Sequence, residues 1–406
     1  MVGIMSQGWL AYVPAVLLVL YLTLPTLYGW AGTGTVPLTT AITVLCAPVL
    51  VHRAMMELQG VRKPAVLLMA LFPAAVCASN AINAVSFWET KSFLIAPVLG
   101  MLTVCFLDGR QRDGCIALVR GVAAFGLLNA VVACLQVMGL PALYDDEALR
   151  IGEHMRASGV MSSATHLGTV LAAATAAAFA LTVYDRSGSR RKTVYVGMLV
   201  VIGLGLLASY SRSAIVGAVI GCAFVLTFDR RIHWRYKAGI LSIVTVMSLG
   251  MLIILWEYVP DVAFLRGEDG SARLRGPLRE VAARMLLAHP VFGGGLGCVA
   301  SEGYRYGSTY MLEAHNTYAD MAAELGMCGL LGFGAALILG LVGYMRKLTF
   351  RNGDWRLCGA LWGLVGALVA LSVHAFWHNI GNSELLWVVI AVGLVERNQC
   401  EYALSR

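Results

Sequence analysis

Long apolar runs alternate with short polar connections along most of this 406-residue chain. Most of the runs are long enough to cross a hydrocarbon core of ~30 Å as a helix. A transmembrane β-barrel would instead show weaker segments of about ten residues with alternating polarity. The pattern therefore predicts an all-α, polytopic membrane protein with about twelve transmembrane helices. The predicted spans lie at residues 9–30, 36–51, 64–84, 92–107, 116–139, 165–184, 194–209, 213–228, 238–256, 326–345, 358–378 and 384–396.

One long polar segment, residues 257–325, separates the ninth run from the tenth. We predict a single membrane domain over residues 1–406, with this segment as its one large loop. The next longest connection on the same side is residues 140–164, and the others are short enough for tight turns. The large loop is rich in arginine: Arg266, Arg273, Arg275, Arg279, Arg284 and Arg305.

Basic residues are distributed unevenly between the two sides of the predicted bundle. Every second connection is basic, and the positive-inside rule makes that side cytoplasmic, together with both termini. The large loop then lies on the outer side. The basic residues on that side are arginines except for Lys91. Because arginine binds phosphate and carboxylate groups in a bidentate manner, we expect an anionic ligand there.

Composition supports the membrane prediction and narrows the chemistry. The chain is 59% hydrophobic and 13% charged, with a mean hydropathy of +0.75, which excludes a soluble globular domain. The net charge of +7 follows from topology, so we predict no nucleic-acid partner. No CxxC, HExxH or His/Cys cluster with metal spacing occurs, and we predict neither a metal nor a cofactor. Most cysteines lie in or beside apolar runs, so disulfides are not expected.

His315 is the candidate catalytic base. It precedes the apolar run that begins near Tyr318, and we place it in the first turn of the tenth span. The positive end of a helix dipole and nearby arginines lower the pKa of an imidazole, which leaves a neutral base that can take a proton from a hydroxyl group. Glu313 opposes this effect. The alternative is an interfacial histidine that only binds a loop carbonyl group.

Two arginines are candidates for binding the anion. Arg212 lies between two apolar runs in Tyr210-Ser211-Arg212-Ser213, where an arginine is costly unless it is paired or reaches lipid phosphates. Arg275 precedes a helix that is predicted to begin near Pro277 and to end before Pro290. The first amides of that helix and Arg275 could hold a phosphate group together.

Other polar residues have weaker signals. Arg279 and Arg284 follow on the helix, and Arg284 is interpreted as part of a solvated face. Arg156 and His166 are candidates in the second outer connection, whereas its adjacent acids are interpreted as solvated. The glycines of 293–297 predict a tight turn. His374 and His378 are equally compatible with structural and functional roles.

Asp320 and Glu324 lie one helical turn apart on the predicted tenth span. Such a pair could share a cation. We favour the interpretation that they form salt bridges that orient the arginines.

The segment around the histidine resembles a known family. His315-Asn316, nine residues, Gly326, two residues and Gly329 match the motif of bacterial O-antigen ligases. Arg275 with the later His-Pro and glycine-rich turn is similar to the wider O-antigen ligase and polymerase superfamily, as are the segments around Arg156 and Arg212. One departure is Arg279, where the superfamily often has tryptophan.

The resemblance implies an inner-membrane glycosyltransferase that moves a polysaccharide from undecaprenyl pyrophosphate to a sugar of lipid A–core at the periplasmic face. It implies Arg212 and Arg275 as the clamp on the pyrophosphate, His315 as the base, inversion at the anomeric carbon, and no metal. The partners are then the lipid-linked glycan, the lipid A–core acceptor and membrane lipids. The residues expected to bind substrate are Arg156, Arg279, Asn316, His166 and Tyr210.

Three other activities remain open at this stage. A polymerase or a protein O-oligosaccharyltransferase of the same superfamily differs from a ligase in its acceptor. A secondary transporter is the alternative that is not an enzyme. Transporters typically carry charges near the membrane midplane in paired broken helices, whereas this chain gathers them at one face.

Overall fold

The computed structural model describes most of the chain between residues 63 and 395. The described residues are 63–85, 93–101, 103, 111–139, 150–151, 154–161, 163–186, 188–229, 233–235, 237–239, 270–349, 354–381 and 383–395. Most of these residues are helical. The helices are α1 (Lys63–Ile82), α2 (Gln111–Val137), α3 (Ala164–Tyr184), α4 (Ser189–Ala208), α5 (Arg212–Phe228), α6 (Gly270–Ala288), α7 (Cys298–Glu302), α8 (Thr317–Thr349), α9 (Trp355–His374) and α10 (Glu384–Leu394).

Two short features accompany these helices. Strands β1 (Arg150–Ile151) and β2 (His154–Met155) form a two-residue antiparallel pair, and a 3-10 turn covers Gly303–Tyr306. Residues 93–101 are also helical.

The helices follow the apolar runs of the sequence. Five of those in the described residues are long and apolar enough to cross a membrane: α2 from Arg112 onward, α3, α4, α8 and α9. Together with the shorter apolar helices they indicate a multi-pass membrane protein. The spans predicted at 9–30 and 36–51, and nearly all of the one at 238–256, lie outside the described residues. The total of twelve spans and the position of the large loop therefore stay predictions.

Helix α9 lies at the centre of one group of helices and packs against α2, α3 and α5. Small residues allow this close approach. A Cβ atom added at Gly217 or Gly221 of α5 would lie 2.6 Å from the carbonyl oxygen of Ala370 or 2.5 Å from that of Gly366 in α9. Glycine is therefore required at this crossing, as is typical of helix contacts in membranes.

Helix α8 organises the other group and packs against α1, α6, α9 and α10. Its Phe333 ring lies 6.0 Å from Phe72 of α1 and 5.9 Å from Trp387 of α10, centroid to centroid. Gly343 of α8 and Gly393 of α10 also meet closely, since a Cβ atom on Gly343 would lie 2.1 Å from the Gly393 carbonyl oxygen.

Helix α8 is interrupted at Gly326, where φ is 65° and ψ is −163°. The connection between α6 and α7 fills the break. The amides of Gly294 and Gly295 donate to the carbonyl oxygens of Ala323 and Glu324 at 2.9 Å each. In return, the amides after the break donate to the carbonyl oxygens of residues 290 and 291. The glycine-rich run is thus a turn, as predicted, and it fixes α6 against α8.

Helix α6 corrects one prediction. It ends at Ala288, before Pro290, as expected, but it begins at Gly270 rather than near Pro277. A proline inside a helix removes one backbone hydrogen bond, and the turns on both sides of Pro277 nevertheless stay helical. Arg275 is therefore inside the helix, and it is not accompanied by free helix-terminal amides. Arg275 and Arg279 are four residues apart and share one face of α6.

Candidate active site

A cavity of about 820 Å³ opens where five segments of the chain meet. These are the residues before α3, the α4–α5 connection, the middle of α6, the residues before α8, and the α9–α10 connection. The lining residues are Arg156, Thr165, Tyr210, Ser211, Arg212, Ser213, Val216, Arg275, Gly276, Arg279, Glu313, His315, Trp377, His378 and Asn379. The volume is within the range of sites that bind small ligands.

The cavity is strongly positive. Of the residues that the structure describes, four arginines from three parts of the fold line it, and Glu313 is the one carboxylate in the lining. Positive charge concentrated in a concave site focuses the potential on an anion inside it. Among the described residues, no group of three or more His, Cys, Asp or Glu side chains could hold a metal ion.

Backbone contacts hold the segments that supply Arg156 and Arg212. The Nε atom of Arg156 donates to the carbonyl oxygen of Ser209 at 3.2 Å, and the Ala157 amide donates to that of Ala208 at 3.1 Å. These bonds attach the Arg156 segment to the end of α4. Tyr210 follows with φ 50°, a conformation that costs a non-glycine residue energy and marks a sharp reversal. Helix α5 then begins with Arg212, which therefore lies at its N-terminus.

The basic face of α6 is attached to the α9–α10 connection. The Nη2 atom of Arg279 donates to the carbonyl oxygen of Phe376 at 2.7 Å. Arg279 thus lines the cavity and also joins two of its walls. Arg284 does not line the cavity: it is exposed, pairs with Glu280 at 2.6 Å and donates to the Tyr306 carbonyl oxygen. The interpretation of Arg284 as part of a solvated face is confirmed.

His315 lies two residues before α8, so its predicted place in the first helical turn is wrong. Its φ of 52° is left-handed, and its side chain is half-buried in the cavity wall. Burial lowers the pKa of His315, Arg275 lowers it further, and Glu313 acts in the opposite direction. The imidazole is therefore neutral near pH 7, as expected, although burial rather than a helix dipole is the main cause.

Asn316 and His166 do not line the cavity. The Oδ1 atom of Asn316 accepts hydrogen bonds from the amides of Tyr318 and Ala319, at 3.0 and 3.1 Å, and so caps the start of α8. The side chain of His166 is exposed in the first turn of α3, next to Thr165, which does line the cavity. Of the eight site residues expected from the sequence, the structure therefore places these two at the periphery.

His378 is the main addition to the residues expected from the sequence. Burial lowers its pKa to about 2, and His374 and Arg275 contribute to the shift. Its ring lies 4.7 Å, centroid to centroid, from the fully buried ring of His374. The hydroxyl group of Thr317 donates to the His378 carbonyl oxygen at 2.7 Å, which places the two histidine segments side by side.

Three further polar or aromatic groups were not expected at the site. The hydroxyl groups of Ser211 and Ser213 are buried and have no hydrogen-bond partner within the described part of the chain. Trp377 adds an aromatic side chain to the wall. The serines flank Arg212 in sequence, and this adjacency is the signal that could have identified them. Nothing in the sequence links Trp377 to Arg212.

A comparison with known protein families gives a match to part of the chain. Residues 197–334 match the family model described as O-Antigen ligase (Wzy_C). The matched region contains Arg212, Arg275, Arg279 and His315, whereas the α9–α10 connection lies beyond it. The match supports membership in the O-antigen ligase and polymerase superfamily. A comparison with curated proteins gives no match.

Proposed function

We propose that this protein is an O-antigen ligase of the bacterial inner membrane. It transfers a polysaccharide from undecaprenyl pyrophosphate to a sugar of lipid A–core at the periplasmic face. The observation that carries the proposal is the single cavity in which four arginines surround a neutral histidine. A pyrophosphate is the anion that needs several arginines, and a hydroxyl acceptor is the group that needs a neutral base.

The arginines neutralise the leaving group. Arg212, from the start of α5, and Arg275, from α6, lie in the same cavity and approach the pyrophosphate from different helices. Negative charge grows on the pyrophosphate as the glycosidic C–O bond breaks, so preorganised positive charge stabilises the transition state more than the ground state. Arg156 and Arg279 extend the positive wall and bind the donor.

His315 takes the proton from the acceptor hydroxyl group. The acceptor oxygen attacks the anomeric carbon from the face opposite to the pyrophosphate, which inverts the configuration. The proton of the hydroxyl group passes to the imidazole, and the electron pair of the broken C–O bond leaves with the pyrophosphate. A base with a pKa close to the working pH is efficient in this role, and loss of it costs ~10²–10⁴-fold.

The remaining wall residues suit a glycan. Trp377 offers an aromatic face against the apolar side of a sugar ring, while Asn379 offers an amide group to sugar hydroxyls. Ser211 and Ser213 also line the wall, with their hydroxyl groups buried in it.

The test uses purified protein in detergent, a lipid-pyrophosphate-linked glycan and lipid A–core. Arg275→Ala should lower transfer by at least ~10²-fold, because it removes a preorganised charge at the leaving group. Arg284→Ala is the matched control: the same helix and residue type, but outside the cavity. It should transfer at the wild-type rate. Equal losses in both variants would contradict the proposed site.

The acceptor is tested separately in a deletion strain. A ligase predicts loss of the polymer from lipopolysaccharide while lipid-linked polymer accumulates. Accumulation of single lipid-linked repeats would indicate a polymerase, and loss of glycan from protein alone would indicate a protein O-oligosaccharyltransferase. A purified protein that moves a substrate across vesicles but joins no glycan would be a transporter.

A further inference from the structure

The segment that carries His315 is held from behind by a buried carboxyl group of α8. Asp320 is fully buried, and its Oδ1 atom accepts a hydrogen bond of 2.9 Å from the amide of Ala314. The backbone amide of Asp320 in turn donates to the carbonyl oxygen of Asn316 at 2.9 Å. Ala314 and Asn316 are the residues immediately before and after His315. Asp320 therefore contacts the backbone on both sides of the histidine, and its carboxyl group holds the residue before it.

The backbone of His315 needs this support. Its φ of 52° is one of three positive values at non-glycine positions in the part of the chain that the structure describes. Such a conformation costs of order 1–3 kcal/mol and persists only where the surrounding contacts determine it. Ala314 and Asn316 are both buried, whereas His315 between them is half-buried and lines the cavity. The two buried neighbours leave the imidazole as the part of this segment that faces the cavity.

We propose that Asp320 is a positioning residue that fixes the backbone conformation in which His315 faces the acceptor. The inference rests on the proposed function, in which His315 is the base. Asp320 does not line the cavity and so acts through His315. A displacement of about 1 Å in a catalytic group can lower a rate by ~10²-fold, which is the effect expected when the segment is released.

This role replaces the salt bridge expected from the sequence. Neither Asp320 nor Glu324 forms an ion pair with an arginine among the residues that the structure describes. The two carboxyl groups lie beside different segments instead. Asp320 binds the segment before α8, whereas Glu324 is buried near the amide of Gly297. Glu324 is therefore a matched control: a buried carboxyl group one helical turn away that does not touch the His315 segment.

The first experiment measures transfer by Asp320→Ala and Asp320→Asn. Asp320→Ala should lower kcat by ~10²-fold and leave the KM for the lipid-linked donor unchanged, because the arginines are not displaced. Asp320→Asn keeps an oxygen that can accept from the Ala314 amide, and it should retain most of the activity. In a His315→Ala background, Asp320→Ala should lower kcat by a much smaller factor than in the wild type, since the two changes remove the same function.

The second experiment reads the environment of His315 without using transfer. Carbethoxylation of His315 by diethyl pyrocarbonate is followed against pH by peptide mass spectrometry. The charged and titratable groups that line the cavity with His315 are Arg275 and Arg279 from α6, Arg212 from α5, Arg156, Glu313 and His378. In the wild type the midpoint should lie below the usual value of about 6.5.

Asp320→Ala should move that midpoint upward, because the released ring gains solvent, whereas Glu324→Ala should not move it. Asp320→Ser, whose side chain is too short to reach the Ala314 amide, gives the same readout if the alanine variant does not fold. A wild-type kcat and an unchanged midpoint in Asp320→Ala would overturn the inference. A wild-type protein without transfer activity would overturn the proposed function, while the labelling would still decide the role of Asp320.

Discussion

The break in α8 offers the sharpest structural prediction. Gly326 has φ 65° and ψ −163°, a combination that is open essentially to glycine alone. A Cβ atom there would lie 2.4 Å from the carbonyl oxygen of Val291 and 2.6 Å from the amide nitrogen of Gly293. Both contacts are with backbone atoms, which cannot turn away as a side chain can. Gly326→Ala should therefore dislodge the α6–α7 connection from the break.

The magnitude follows from two costs. The strained backbone conformation costs about 1–3 kcal/mol for a residue with a side chain, and forcing an extra methyl group into close packing costs about 1–3 kcal/mol. Even the lower sum, about 2 kcal/mol, raises the population of the open connection by roughly 30-fold. Because α6 is tied to α8 through this connection, the change should also displace Arg275 and lower transfer.

The assay uses Cys298, which is 4% exposed and lies beside the break. Burial raises the pKa of its thiol, so in the closed connection it reacts slowly with maleimide. Peptide mass spectrometry separates it from the exposed Cys77 and Cys328. Gly326→Ala should accelerate its labelling by roughly 30-fold or more at the same pH.

Gly334→Ala is the matched control for this variant. It lies in the same helix, and an added Cβ atom would meet nothing within 4 Å. It should leave the labelling rate unchanged or lower it, because alanine is the better helix former by about 0.5–1 kcal/mol. Equal labelling rates of Cys298 in both alanine variants would show that the close contacts at Gly326 do not hold the α6–α7 connection in place.

Three further predictions concern the chemistry. Arg212→Lys and Arg275→Lys should each recover only part of the activity lost in the alanine variants, because lysine keeps the charge but loses the bidentate geometry. Steady-state transfer rates measure this recovery. Full recovery at both positions would indicate nonspecific attraction. The pKa of His315 is lowered, so a pH profile of kcat should show transfer falling only below about pH 6.5. Glu313 acts against this lowering, so Glu313→Gln should move the acid limb of the profile to still lower pH. Nuclear magnetic resonance of the product should show inverted anomeric configuration, and retention would indicate a covalent glycosyl intermediate instead.

The pattern of apolar runs was sufficient to predict the apolar helices of the described residues. A run of apolar residues has few alternatives in a membrane, because every backbone amide and carbonyl group must be bonded within its own segment. The α4–α5 reversal at Tyr210 followed from two runs that lie too close together for a longer connection. The start of α6 was not predictable in this way, because a proline at 277 is equally compatible with a first turn and with an interior position that sacrifices one hydrogen bond.

The site was predictable where its residues carry unusual chemistry for their place in the sequence. Arginines on the predicted outer side contradict the positive-inside rule, so Arg212 and Arg275 could be selected. His315 could be selected because it stands before a predicted span, close to the arginine-rich segment. The remaining residues depend on distant contacts. The His378 carbonyl oxygen accepts a hydrogen bond from the Thr317 hydroxyl group, two residues after His315. No spacing along the chain predicts that bond.

Asp320 illustrates the same limit. From the sequence, a carboxylate one turn from Glu324 beside an arginine-rich loop suggested ion pairs. In the structure, the carboxyl group is buried under the loop and accepts a hydrogen bond from the backbone amide of Ala314. A buried carboxyl group accepts hydrogen bonds from donors that are buried beside it. Which donors lie there depends on how the loop folds back over the helix.

Glycan transfer by purified protein in excess EDTA, with wild type and His315→Ala compared side by side, is the most direct test of the arginine and histidine mechanism. We expect the wild type to join the glycan to lipid A–core at its usual rate without free divalent cations. We expect the transfer rate of His315→Ala to be ~10²–10⁴-fold lower, with an unchanged affinity for the lipid-linked donor. Loss of wild-type transfer on chelation, restored by one specific cation, would overturn this mechanism, as would transfer at the wild-type rate without His315.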